Sequence, residues 1–79
     1  ENVKADTSNP KQVGAPLQGL LSNVLVKKNQ EVKKNQPLFV IEAMKMETTV
    51  TASEEGVVDK VHLSSGSLVN SEDLVLVLK

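Results

Sequence analysis

The chain has 79 residues, a formal net charge of −1 and a single aromatic residue, Phe39. This length suffices for one small domain, and the nearly balanced charge gives no electrostatic reason to expect nucleic acid or a membrane surface as a partner. The chain has no cysteine, which excludes disulfides and thiolate metal sites. No apolar run approaches the roughly 20 residues that span a bilayer.

The chain divides into a polar start and a region of short apolar segments. Residues 1–12 contain Asn9-Pro10 and show neither helical nor strand periodicity, which predicts a linker or irregular lead-in. From Val13 onward, segments rich in Val, Leu and Ile alternate with turn residues, and this pattern predicts short strands. The predicted strands are 13–15, 19–26, 32, 37–44, 46–52, 56–63, 68–69 and 74–78. No segment supports a long helix, so residues 13–79 are predicted to form one all-β domain.

The apolar region contains an internal repeat. Residues 13–41 align with residues 50–78 at a constant offset of 37, without a gap. The identities are Val13/Val50, Ala15/Ala52, Gly19/Gly56, Val24/Val61, Val32/Val69 and Val40/Val77, and we expect the Val24/Val61 and Val40/Val77 pairs in the core. Neither half could bury its apolar face alone, which predicts a flattened β-barrel or sandwich of two antiparallel sheets with quasi-twofold symmetry. The step of three from Leu21 to Val24 recurs in the second half and predicts a β-bulge at equivalent places.

The segment that joins the two halves carries the candidate site. Two predicted strands meet at Met44-Lys45 without a Gly, Asn or Asp for the turn, and such local conflicts are expected at functional sites. Met46 follows the lysine, and the two thioethers offer an adaptable surface to a partner. On position alone, a solvated lysine and core-filling methionines remain the simpler interpretations.

Residues 42–48, Glu-Ala-Met-Lys-Met-Glu-Thr, resemble the biotin-attachment signature of biotin-dependent carboxylases. Residues 13–19, 32–38 and 56–61 resemble further parts of the biotin carboxyl carrier (biotinyl) domain, so that the similarity covers nearly all of residues 13–79. Within that family, the lead-in and Glu47-Thr48-Thr49 are most similar to the carrier of pyruvate carboxylase. Some turns depart from the family pattern, because Asn29-Gln30 stands where Gly-Asp is common and residues 70–73 have lost a Gly.

The resemblance implies a covalent biotin carrier that is not an enzyme by itself. It would shuttle carboxybiotin between the biotin carboxylase and carboxyltransferase active sites of a parent ligase, with pyruvate carboxylase (pyruvate to oxaloacetate) as the expected parent. Lys45 would receive biotin from a biotin protein ligase, Met44 and Met46 would serve recognition, and Ala43 and Glu42 would complete the binding site. The implied location is the cytoplasm in a bacterium or the mitochondrial matrix in a eukaryote.

Three alternatives stay open at this point. A lipoyl carrier domain of a 2-oxoacid dehydrogenase-type complex has a similar fold, although its signature generally places Asp before the lysine and Ala after it. A barrel that serves only protein contacts would leave the lysine unused, and an independent catalyst would need a nucleophile and a base that the chain does not offer.

His62 is interpreted as a surface or half-buried strand residue. Glu54-Glu55 and Glu72-Asp73 are interpreted as solvated turn charges rather than as metal ligands.

Overall fold

The computed structural model describes residues 2–6 and 8–79, and within them it contains strands and turns but no helix. The eight strands are β1 (Gln12–Gly14), β2 (Gly19–Val24), β3 (Glu31–Val32), β4 (Pro37–Ala43), β5 (Met46–Thr51), β6 (Gly56–Val61), β7 (Leu68–Val69) and β8 (Leu74–Leu78). Each predicted strand segment overlaps one of them, so the all-β prediction is confirmed. No helix in the described part of the chain could cross a membrane.

The strands form two four-stranded antiparallel sheets with the orders β1-β8-β6-β3 and β5-β4-β2-β7. The offset of 37 places β2 on β6, β3 on β7 and the start of β4 on the start of β8. It also places β1 on residues 49–51, which lie within β5. When each strand is exchanged for its counterpart in the other half, the strand order of one sheet becomes the strand order of the other. The predicted quasi-twofold architecture is therefore present in the strand topology.

The predicted β-bulges occur at equivalent positions. The register of β2 with β4 shifts between Leu21 and Asn23, and the register of β6 with β8 shifts between Val58 and Lys60. Each bulge adds one residue to one strand, which increases the local twist. This twist lets the two short sheets curve around a shared core.

The core lies between the sheets and draws on both halves. Its buried apolar residues are Ala15, Leu21, Val26, Val32, Leu38, Phe39, Ile41, Ala52, Val58, Val69, Val75, Leu76 and Leu78. Val24 and Val61 are partly buried and pack against this core, whereas the expectation that Val40 and Val77 are core residues is wrong. Val40 lies between two buried neighbours on β4, so strand alternation turns it to the outer face, and Val77 has the same position on β8.

Two pairs of turns repeat the same backbone geometry. Asn29 and its counterpart Gly66 have φ values of 73° and 98°, and Asn35 and its counterpart Glu72 have φ values of 69° and 70°. Asn tolerates this left-handed conformation better than most residues do. Glu72 has no such advantage, so its turn carries more backbone strain than the equivalent turn at Asn35.

The lead-in is docked on the barrel through Asp73. Lys4 and Asn2 donate to the Asp73 carboxylate, and the Asn70 backbone amide donates to it at 2.8 Å. The interpretation of Asp73 as a solvated turn charge is wrong, because it is 1% exposed beneath these partners. The same hydrogen bonds, led by the Asn70 amide and followed by Lys4, lower the pKa of Asp73 to about 2. Residues 1 and 7 of the predicted lead-in lie outside the described residues.

Candidate functional site

The candidate lysine lies at the tip of the hairpin that joins β4 and β5. Ala43 pairs with Met46, so the turn consists of Met44 and Lys45 alone. Both turn residues have positive φ values, 52° and 65°, which is the signature of a type I′ turn, a turn that favours Asn and Gly. A left-handed conformation costs a residue with a Cβ atom roughly 1–2 kcal/mol. The conflict predicted from the sequence is therefore present as backbone strain at this tip.

The hairpin exposes its tip fully to solvent. Met44 is 95% exposed and Met46 is 72% exposed, which rules out the interpretation of the two methionines as core residues. Lys45 is also exposed, and it takes part in neither of the two ion pairs found among the described residues, Lys4–Asp73 and Lys11–Glu54. Its amino group is thus accessible to an acylating enzyme.

Two carboxylates flank the tip. Glu42 and Glu47 are exposed and lie directly opposite each other on β4 and β5. Like charges in this position repel each other, so the pair does not serve stability. The pair instead gives the base of the hairpin a negative charge.

The base of the hairpin is held unusually close to β2 at Gly19. A Cβ atom on Gly19 would lie 2.6 Å from the Glu42 carbonyl oxygen and 3.1 Å from the Ala43 Cβ atom. The equivalent glycine in the other half, Gly56, would place its Cβ atom no closer than 3.6 Å to any neighbour. Sequence reasoning missed this role, because the repeat gives both positions the same residue and no signal distinguishes them.

The other candidate residues do not join this site. His62 and Glu55 are exposed, and Glu54 forms an ion pair with Lys11 at 3.2 Å. Within residues 2–6 and 8–79, no group of three or more His, Asp or Glu side chains could hold a metal ion. The site therefore consists of the hairpin residues 42–47 and of the glycine at its base.

Comparisons with known proteins agree with this geometry. Residues 11–78 match the family model described as "Biotin-requiring enzyme". The chain is 44% identical over 73 residues to a pyruvate carboxylase of Staphylococcus aureus, covering 92% of the chain and 6% of that protein. It is 42% identical over 64 residues to a biotin carboxyl carrier protein of Streptococcus mutans, covering 81% of the chain and 49% of that protein. A crystal structure of the multifunctional pyruvate carboxylase of Rhizobium etli aligns with a TM-score of 0.82 and 31% identity, over 98% of the chain and 7% of that protein.

Proposed function

The chain belongs to the biotin-requiring enzyme family, and on this basis we propose that it carries biotin on the amino group of Lys45. One observation above all supports Lys45 as the attachment point. Lys45 stands at an exposed hairpin tip whose two residues, Met44 and Lys45, both have left-handed backbone conformations although neither is Gly, Asn or Asp. Backbone strain that persists where another residue would relieve it is a candidate for function.

The residues around Lys45 suit attachment of this group. An amide bond to the lysine amino group removes its positive charge and leaves a neutral arm at the tip of the hairpin. When bound, biotin supplies a ureido nitrogen that accepts and releases a carboxyl group. The hairpin holds the attachment point away from the barrel, and Met44 and Met46 offer flexible apolar contacts to each enzyme that handles the arm.

The parent protein is proposed to be a pyruvate carboxylase. The chain spans 6% of the Staphylococcus aureus pyruvate carboxylase and about half, 49%, of the Streptococcus mutans carrier protein. The proposed partners are a biotin protein ligase and the biotin carboxylase and carboxyltransferase domains of the parent. Attachment to a shared polypeptide raises the effective concentration of the arm at both active sites. The proposed location is the bacterial cytoplasm or the mitochondrial matrix.

Intact-mass measurement tests the attachment point. The chain, co-expressed with a biotin ligase, is expected to gain one biotin, and Lys45→Arg is expected to gain none. Lys34→Arg is the matched control, because Lys34 is also an exposed lysine in a turn. Thermal unfolding of Lys45→Arg should match that of the parent chain, since an exposed tip makes few contacts. A Lys45→Arg variant that still gains biotin, or a parent chain that gains a lipoyl group instead, would contradict the proposal.

A further inference from the structure

The quasi-twofold symmetry creates two equivalent surface grooves, which are lined by corresponding residues of the two halves. The near groove is lined by Gln18, Gly19, Leu20, Leu68, Val69 and Asn70 and has a volume of about 420 Å³. The far groove is lined by Glu55, Gly56, Val57, Glu31, Val32 and Lys33 and has a volume of about 370 Å³. Each residue of the near groove is separated by 37 positions from one residue of the far groove. The far groove is thus an internal control for the near groove.

The near groove lies at the end of the barrel that carries the hairpin. Leu20 pairs with Glu42 at the hairpin base, and Gly19 and Leu20 pair with β7. Strands in a sheet are about 4.8 Å apart, which places β7 about 10 Å from β4. The far groove lies at the opposite end, because Val32 leads through the turn 33–36 into the start of β4.

The two grooves share their glycine and their apolar Leu20 or Val57, but they differ in charge and apolarity on β7 and β3. The near groove has Leu68, which is 77% exposed although its neighbour Val69 is buried, and Leu20 beside it. The far groove has Glu31 at the position of Leu68 and Lys33 at the position of Asn70. Because the topology is the same in both places, folding does not demand an exposed leucine at residue 68. An exposed glutamate, Glu31, occupies the equivalent position in the far groove.

The near groove continues directly into the acidic hairpin base. The registers place Leu68, Leu20, Glu42 and Glu47 in one row across β7, β2, β4 and β5. Alternation puts this row on the outer face of the sheet, since Leu21 and its partner Ile41 are buried. The row therefore offers an apolar contact next to two carboxylates without an ion-pair partner among the described residues.

From this contrast we infer that the near groove docks the biotin carboxylase domain, which loads the carboxyl group on the biotin of this carrier. An apolar side chain of that domain contacts Leu20 and Leu68, and Lys or Arg side chains beside it lie opposite Glu42 and Glu47. This inference rests on the proposed function. The biotin carboxylase domain handles anionic reactants, so a positively charged rim suits its active site. Biotinylation removes the charge of Lys45 and makes the hairpin end more acidic. Such a rim then favours the modified carrier over the unmodified one.

The experiment measures binding of the biotinylated chain to the biotin carboxylase domain of the Staphylococcus aureus pyruvate carboxylase, by NMR titration of the 15N-labelled chain. Amide signals of the near groove should shift, and those of the far groove should not. Leu68→Glu copies the far groove and should raise the Kd about tenfold or more, as Leu68→Ala should do to a smaller extent. Glu31→Gln is the matched control in the far groove and should leave the Kd unchanged. Glu47→Gln should weaken both the binding and its dependence on salt.

Two results would overturn the inference: Leu68→Glu binds like the parent chain, or the shifted signals cluster around Glu31 and Val57. If Leu68→Glu leaves the Kd unchanged and also slows biotin ligation, the occupant of the groove is the ligase. Intact mass is measured first on the parent chain, so a failure of biotinylation at Lys45 refutes the proposed function in a separate measurement. A properly biotinylated Leu68→Glu variant with unchanged binding refutes only the groove.

Discussion

Replacing Gly19 by alanine tests whether the hairpin base is held by a close approach of two backbones. The added Cβ atom would lie 2.6 Å from the Glu42 carbonyl oxygen and 2.9 Å from the Ile41 Cγ2 atom. Ordinary C···O contacts are about 3.3 Å or longer, so β4 would have to move away from β2 by about 0.7 Å. Overpacking of this kind typically costs about 1–3 kcal/mol.

Gly56→Ala is the matched control, because Gly56 occupies the equivalent position in the other half. Its new Cβ atom would meet the Leu78 Cβ atom at 3.6 Å, which is an ordinary contact. Neither Gly19 nor Gly56 has a positive φ, so alanine is compatible with both backbone conformations. Alanine should then stabilise the control by about 0.4–1 kcal/mol, through a reduced entropy of the unfolded chain.

The assay is thermal unfolding of the two variants beside the parent chain. A domain of this size loses about 4–8 °C in Tm for each kcal/mol, so Gly19→Ala should unfold about 4–24 °C lower and Gly56→Ala about 2–8 °C higher. Gly19→Ala should also slow biotin ligation per folded molecule, since it displaces the strand that carries Lys45. Equal changes in Tm for the two variants would refute the close approach at Gly19.

Three further predictions concern the buried acid, the hairpin methionines and the core. Asp73→Asn should lower the unfolding midpoint at neutral pH. Because the pKa of Asp73 is lowered from 3.8 to about 2, the stability that the carboxylate contributes is fully present above about pH 4 and is lost as the pH falls through about 2. The Tm values of the parent chain and the variant, measured against pH, should therefore converge over that interval. Met44→Ala and Met46→Ala should change the free energy of unfolding by no more than about 0.5 kcal/mol yet slow biotin ligation; a large fall in Tm with normal ligation would contradict their role in recognition. Leu21→Ala should cost about 2–5 kcal/mol in urea unfolding, clearly more than Val24→Ala, because Leu21 is buried and Val24 only partly so.

The repeat made most of the fold predictable. An offset that keeps apolar residues, the step of three and a leading glycine in both halves already implies two equivalent sheets with a bulge in each. The positions of Val40 and Val77 were not predictable in this way, because both lie in continuous apolar runs. Such a run does not show which of its members face inward, and only the packing of the second sheet decides this.

The site was predictable where its sequence conflicts with its local structure. Met44-Lys45 is a poor choice for a two-residue turn, and the resemblance of residues 42–48 to a known attachment signature gave this conflict a chemical meaning. Asp73 was not predictable, because its position in the repeat corresponds to Gln36, whose side-chain oxygen accepts from the Lys33 amide as Asp73 accepts from the Asn70 amide. The sequence therefore predicts a solvated turn cap at residue 73, because it does not show that Asn2 and Lys4 of the lead-in cover the Asp73 carboxylate.

The sequence by itself thus determined the strands, the equivalence of the two halves and the residue at the hairpin tip, because these follow from local patterns along the chain. The tertiary structure alone decided what differs between the halves: the tight contact at Gly19, the exposed Leu68 beside the hairpin and the burial of Asp73. Each of these depends on segments far apart in the chain that meet only after folding. A repeated sequence specifies equivalent backbones, but the different neighbours of each half give equivalent residues different roles.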